Sequence, residues 1–547
     1  MKLNEMYTFK SRFLVLCAIT LAGVPLLFQG CGGQRIASAP AYEGIQAAKL
    51  AKEKRKMDFS GAAGLVDSME ESPVVHNTEE YDIVRENEFK DVKENPLSTF
   101  SIDVDTASYS NVRRFINYNQ LPPKDSVRIE EMINYFRYEY PQPQGEHPFS
   151  VTTEISEAPW NTNNRLLLIG IQGKSLDYKN LKPSNLVFLL DTSGSMNDPN
   201  KLPLLKKSLA ILLDELSSKD RISIVAYAGS AGLVLPSTPA TKKDKILDAF
   251  NSLRAGGSTA GGEGIELAYK IARENLIKEG NNRVILCTDG DFNVGQSSTS
   301  NLVRMIEEKR KDDIYLTICG FGMGNYKDGR MEQISNAGNG NYFYVDNIKE
   351  AQKIFGREMR ANMFTIAKDV KIQIEFNPLK VKGYRLIGYE NRVMAKEDFD
   401  NDLKDAGELG AGHTVTAMYE LIPAGSKEDA KTSGSLKYQE TKIKPDAAGK
   451  NEIMTLKMRY KPIRENKSKL IEKAVIDTDT AFSRTTDNFR FASSVAGFGM
   501  LLRESKFKKD LTAKDVMRIA KASKGKDKEG YRAEFITLVE KYSLLSR

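Results

Sequence analysis

The feature that most constrains this chain is an unbroken apolar run that stops on a carboxylate. Leu186-Val-Phe-Leu-Leu is hydrophobic at every position and leads into Asp191-Thr-Ser-Gly-Ser-Met. A strand with one wet face alternates apolar and polar residues, so a run without alternation is covered on both faces, as in parallel sheets flanked by helices. The next stretch supplies such a helix, because Leu202, Leu205, Leu209, Leu212 and Leu216 step by threes and fours along one helical face. Strand-like runs recur at Ile222 to Tyr227, Val284 to Cys287, Ile314 to Cys319 and Tyr342 to Val345. Helical stretches at Gly264 to Lys278, Asn301 to Lys311 and Lys349 to Met359 lie among them. This alternation over residues 174–362 predicts a doubly wound α/β domain.

The flanks have another rhythm. In residues 96–173, Thr99-Phe-Ser-Ile-Asp-Val-Asp-Thr alternates like a strand and Val127 to Phe136 is helical. Phe149 to Ile155 and Leu166 to Ile171 follow as strands, with Trp160, the single tryptophan, between them. In residues 363–547, strands at Val370 to Phe376, Tyr384 to Tyr389, Val415 to Leu421 and Ile453 to Tyr460 come without helices between them. Gly425 to Lys450 reads as a loop, and the pattern turns helical from Asn488 onward. The flanks thus form a β-rich platform with a C-terminal helical segment. We expect the Phe149 to Ile171 strands to pair with strands after Met363, which makes the α/β domain an insertion. Residues 31–95 are polar and broken, with a possible short helix at Ala47 to Lys56, and read as a flexible tether.

Lys2, Lys10 and Arg12 precede an apolar run of 16 residues, Phe13 to Phe28, short for a membrane span and suited to a signal-peptide core. Phe28-Gln29-Gly30-Cys31 resembles a bacterial lipoprotein cleavage box, although such boxes usually carry Leu at the place of Phe28 and a smaller residue than Gln29. The resemblance implies that residues 1–30 are removed and that Cys31 is lipidated, leaving the protein on the bacterial cell envelope. In a Gram-negative cell, Gly32 rather than Asp at the next position favours sorting to the outer membrane. Of the other cysteines, Cys17 falls in the signal peptide, while Cys287 and Cys319 lie in apolar runs and read as buried thiols, with a disulfide between them left open. The chain has 80 Lys+Arg against 73 Asp+Glu, so 80 − 73 = +7 over 547 residues. No dense basic block with interleaved aromatics is present, which argues against nucleic acid. No G-x-x-x-x-G-K-[ST] loop exists to cradle a nucleotide phosphate.

The chemistry gathers where apolar strands end. Asp191, Ser193 and Ser195 fall at alternate positions as the first buried strand gives way to a turn. In open α/β sheets, ligands bind at the carboxyl ends of strands where strand order reverses. Gly256-Gly-Ser-Thr-Ala-Gly-Gly offers Thr259 ahead of a helix, and the strand at Val284 ends in Thr288-Asp289-Gly290. If that strand neighbours the first, two carboxylates and three hydroxyls converge. All are hard oxygen donors, which select Mg²⁺, or Mn²⁺ or Ca²⁺, over zinc or copper. Neutral hydroxyls leave part of the ion's charge uncompensated, so a carboxylate from a partner protein suits the open position. No acid, base or nucleophile is needed, and the chain is expected not to be an enzyme.

This set resembles the metal-ion-dependent adhesion site (MIDAS) of von Willebrand factor type A (VWA) domains, matching at Asp191, Ser193, Ser195, Thr259 and Asp289. The resemblance implies a Rossmann-like fold and metal-dependent protein binding. The flanks resemble a bacterial family of VWA proteins. Ser98-Thr-Phe-Ser-Ile-Asp-Val-Asp-Thr-Ala-Ser-Tyr and Arg128-Ile-Glu-Glu-Met-Ile-Asn-Tyr-Phe look like its VWA-associated N-terminal domain. Leu386-Ile-Gly-Tyr-Glu-Asn-Arg, Asp405-Ala-Gly-Glu-Leu-Gly-Ala-Gly-His-Thr-Val-Thr-Ala and Ala496-Gly-Phe-Gly-Met-Leu-Leu-Arg look like its C-terminal domain.

Other motifs carry less. Asp103-Val-Asp-Thr approaches the phosphoaspartyl motif of haloacid-dehalogenase-type phosphatases, but Ala107 stands at that motif's threonine and Thr106 comes one place early. Ala228-Gly-Ser-Ala-Gly imitates a nucleophile elbow without a following helix, since Leu233-Val-Leu-Pro reads as an edge strand. His413 reads as a hydrogen-bonded turn residue, Trp160 as packing, and Asp291 as either an outer neighbour of the metal or a loop carboxylate. The rival functions are an envelope hydrolase acting outside the α/β domain and a structural lipoprotein with an unused metal site.

Overall fold

The computed structural model describes residues 77–177, 181–258, 261–290, 292, 299–432, 442–444 and 449–546. Strands β1 (Lys90–Asp91), β2 (Leu97–Ser101), β3 (Phe149–Ala158) and β4 (Asn161–Gly173) precede the α/β domain. The domain itself contains β5 (Ser184–Asp191), β6 (Arg221–Tyr227), β7 (Ala231–Pro239), β8 (Asn281–Thr288), β9 (Ile314–Phe321) and β10 (Tyr342–Val345). After it come β11 (Thr365–Phe376), β12 (Val381–Ile387), β13 (Gly407–Gly410), β14 (Thr414–Pro423), β15 (Glu452–Pro462) and β16 (Lys469–Ile476).

The α/β domain is built on one sheet in the order β10-β9-β8-β5-β6-β7. All neighbours run parallel except β7, the antiparallel edge strand. β5 takes the middle because both of its faces are apolar. Leu186, Phe188 and Leu190 enter one core with Leu205, Leu209 and Leu212 of helix Leu202–Glu215. Val187 and Leu189 enter the other with Ile265, Ala268 and Ala272 of helix Gly261–Glu274. Strand order turns around between β5 and β8, so their carboxyl ends open the crevice in which such sheets hold ligands. The helical stretch expected from Lys349 to Met359 is broken into a short α-helix, Ile348–Ala351, a π-turn, Gln352–Arg357, and a last helix, Met359–Met363.

The platform is two antiparallel sheets, β1-β12-β14-β4-β3 and β13-β11-β15-β16, with β2 added on β11. β4 pairs with β14 from Arg165 opposite Leu421 to Gln172 opposite Thr414. The strands before the α/β domain therefore join strands beyond Met363, and the domain is an insertion. From Leu166 to Ile171 β4 carries no polar side chain, because this stretch serves two cores. Leu167, Ile169 and Ile171 meet Phe100, Ile372, Ile374 and Tyr419 between the two sheets. Leu166 and Leu168 meet Met132, Ile133, Phe491, Val495 and Phe535 on the other face. That second core unites helices Ala107–Asn117 and Ile129–Asn134 with Asp487–Leu502, Ala513–Ala522 and Tyr531–Leu545. Trp160 is buried in it.

The tether expected to reach residue 95 ends sooner. From Thr78 on, the chain is tied down by backbone hydrogen bonds to the loop after β9, and β1 pairs Lys90 with Tyr384 on β12. Single anchors do the packing: Tyr81 against Phe115, Phe89 against Phe507, and Val92 in the core between the sheets. Such isolated contacts leave no periodic signature. The expected signal peptide, Cys31 and the helix expected at Ala47 lie outside the described residues, as does part of the Gly425 to Lys450 loop. No described helix is long and apolar enough to cross a membrane.

Candidate metal centre

β5 delivers Asp191 as its last residue, and the chain then leaves the sheet through an extended Ser193 into a 3₁₀ turn, Gly194–Asn197. Asp191 and Ser193 are buried, while Ser195 is exposed at the rim. The amide of Ser193 donates to Asp191 Oδ1 at 2.9 Å, and the hydroxyls of Tyr227 and Thr288 donate to Oδ2, each at 3.1 Å. Ser193 Oγ and Ser195 Oγ lie 3.0 Å apart. Burial pushes the Asp191 carboxyl up to about 6; the Ser193 donors pull it down and the charge of Asp289 pushes it up.

Asp289 follows β8, which pairs with β5 through Cys287 opposite Leu190. It is fully buried, and its Oδ2 accepts from the Lys201 ammonium at 3.0 Å and the Asn325 amide at 3.2 Å. The glycine-rich loop is drawn in by backbone bonds, Gly256 N to Thr192 O at 2.8 Å and Gly194 N to Gly257 O at 3.1 Å. Gly257 has φ +84°, and a Cβ there would stand 3.2 Å from Gly229 N, so this approach requires glycine. Thr259 and Asp291 lie outside the described residues.

Four of the five residues expected from the sequence thus lie at the neighbouring carboxyl ends of β5 and β8: Asp191, Ser193 and Ser195 after β5, and Asp289 after β8. The sequence reading missed Lys201 and Asn325, which belong to the start of a helix and to the loop after β9. Knowing that β9 neighbours β8 would have singled out Asn325. The donor set fits a divalent cation, being hard oxygens around two like carboxylates. Within the chain, Lys201 supplies one positive charge against the two.

The other residues singled out from the sequence sit among hydrogen-bond and ion-pair partners. Asp103, Glu131 and Glu332 bring carboxylate oxygens within 4.8 Å of one another, but guanidinium groups fill the space between them. Arg392 Nε donates to Asp103 at 3.0 Å, Arg128 pairs with Glu131 and Asp328, and Arg392 lies 3.7 Å from Glu332. This lattice of paired charges joins loop, helix and platform. His413 Nε2 sits 2.7 Å from Asn362 Oδ1, and burial drives its pKa down to about 3, so the ring is neutral. Cys287 and Cys319 are neighbours in register and are free, buried thiols.

A doubly wound sheet with this oxygen cluster at its switch point defines a VWA-domain protein. Residues 185–357 match the family model of the von Willebrand factor type A domain, and residues 75–168 match the model described as von Willebrand factor. VWA domains commonly hold a divalent metal at a MIDAS and often mediate protein interactions through it. Residues 361–545 match the model described as "Uncharacterized protein YfbK, C-terminal". The Escherichia coli (strain K12) protein YfbK is 42% identical over 470 residues, spanning 85% of this chain and 81% of that one. The chain belongs to the YfbK family. The protein sll0103 of Synechocystis is 30% identical over 195 residues, 36% of this chain and 45% of that one. A solved von Willebrand factor type A structure from Catenulispora acidiphila is 16% identical with a TM-score of 0.39, covering 72% of this chain and 91% of that one.

Proposed function

We propose that this protein is a lipid-anchored component of the bacterial envelope, at the outer membrane, whose VWA domain binds a partner protein through a divalent cation, Mg²⁺ in the first place. Asp191 and Asp289 hold the ion directly or through water, and Ser193, Ser195 and Thr259 supply neutral oxygens. The observation that carries this reading is the meeting of Asp191, Ser193 and Asp289 at the carboxyl ends of β5 and β8, with Ser195 exposed beside them. A bound cation supplies a Lewis-acidic position for a carboxylate of the partner. The chain's own groups orient the site: Tyr227 and Thr288 fix Asp191, and Lys201 and Asn325 fix Asp289. Cys31 is the proposed anchor, and the binding role requires no catalytic group.

The test is capture of partners from native envelopes by the full chain, with Mg²⁺, with EDTA, and with Asp191→Ala after a melting curve has verified its fold. A partner retained by the wild type with Mg²⁺ alone is the expected result. Identical capture in all three conditions contradicts metal-dependent binding.

A further inference from the structure

The first described residues lie on the very loop that brings Asn325 to the metal centre. Thr78 N donates to Gly324 O at 2.7 Å, Glu80 N to Tyr326 O at 2.9 Å and Asp328 N to Glu80 O at 3.2 Å. The ammonium of Lys327 reaches the Thr78 carbonyl. Glu79 turns inward between these bonds. One of its oxygens accepts the Gly324 amide at 2.8 Å, and the Arg114 guanidinium grips both, at 2.9 and 2.8 Å. The pair is out of water, with side-chain exposures of 6% for Arg114 and 4% for Glu79. Burial alone would raise the Glu79 pKa, but Arg114 and the Gly324 amide hold it below the usual carboxylate range. A two-pronged pair of this kind fixes orientation as well as position.

The loop so held is pliant by composition. Gly322 and Gly324 both adopt left-handed φ, +76° and +98°. A Cβ at Gly322 would collide with the stem of Lys201, so the backbone passes directly over that side chain, and the Tyr344 hydroxyl holds the Gly322 carbonyl there. Asn325 follows. Its amide nitrogen is spent on Asp289, while its Oδ1 is buried with no hydrogen-bond partner among the described residues. A buried amide oxygen without a donor marks a place where a cation or water belongs. A neutral hard oxygen on a side chain bonded to the Asp289 carboxylate is also the donor type that Mg²⁺ and Mn²⁺ take, often through water.

We propose that Asn325 is a further residue of the metal centre, offering Oδ1 to the cation or to a water upon it, and that the Thr78–Glu80 strap positions it. This inference rests on the metal-binding reading of Asp191 and Asp289.

The experiment pairs a calorimetric Mn²⁺ titration of the full chain with hydrogen exchange at the amides of Thr78, Glu80, Gly324 and Asp328. Asn325→Ala is expected to weaken Mn²⁺ binding about tenfold while leaving exchange at Thr78 and Glu80 unchanged. Glu79→Gln is expected to speed exchange at all four amides and to weaken binding by a similar factor. Lys327→Ala, at a partly exposed position, serves as the milder variant should Glu79→Gln fail to melt cooperatively. Wild-type affinity in Asn325→Ala overturns the assignment, and faster exchange with unchanged affinity overturns the coupling. A wild-type chain that takes up no Mn²⁺ overturns the metal reading itself, which no variant is needed to establish.

Discussion

At the scale of the residue, Lys201 decides how the site behaves without metal. Its ammonium and the Asp289 carboxylate are both out of water, at side-chain exposures of 6% and 0%. Removing one member of a buried pair takes from the other its compensating charge, which costs up to about 3–5 kcal/mol. We therefore expect Lys201→Met to melt well below the wild type in EDTA and to recover part of the difference with Mg²⁺, which supplies the missing positive charge. Equal melting temperatures in EDTA would show that the pair does not carry this weight. Asp191 and Ser193 were legible because their spacing lies within one strand end, where local geometry fixes what they face. Lys201 and Asn325 reach Asp289 across 88 and 36 residues of chain, and contacts made by folding leave no local spacing to read.

At the scale of the element, β4 and β5 show why continuous apolar runs are informative. Each run fills two cores, so neither face tolerates a polar side chain. Leu168 is 1% exposed in the helical core, and Leu168→Ala should lower the stability of the chain by about 2–5 kcal/mol in denaturant unfolding. A loss under 1 kcal/mol would mean that the core re-closes around the cavity. Elements without such a pattern escaped the sequence reading. β13 is four residues long, and β16 is a charged edge strand exposed at most positions. The strap from Thr78 to Glu80 is held by main-chain hydrogen bonds and by the Glu79–Arg114 pair, contacts to residues far along the chain that leave no local pattern.

At the scale of the whole molecule, the order of the chain is not the order of its cores. Segments on both sides of the VWA domain share the sandwich core and the helical core, so the platform closes only after the insertion has been made. The doubly wound domain was legible because its strands and helices are consecutive. The platform was legible only as a pairing expectation, since the pairs that close it across the insertion, such as Arg165 with Leu421, lie more than 200 residues apart. His413 stands where the two meet: its ring bonds Asn362 at the exit from the VWA domain, and its carbonyl accepts the Gly173 amide at 2.8 Å. Burial lowers its pKa from 6.5 to about 3, so in acid the unfolded chain takes up the proton first. Its contribution is whole above the ordinary histidine value and drains away as pH falls toward about 3. Stability should fall by about 1–2 kcal/mol from this group between pH 7 and 5, and His413→Gln should flatten that slope. A variant with the wild-type pH profile would assign the acid sensitivity elsewhere.

The central claim is that Asp191, Ser193 and Asp289 close on a divalent cation at the β5–β8 switch point. Calorimetric titration of the metal-stripped full chain with Mg²⁺, alongside Asp191→Ala of verified fold, tests it most directly. One saturable site per chain is expected in the wild type, with binding lost in the variant. No saturable binding by the wild type, or equal binding by both proteins, would contradict it.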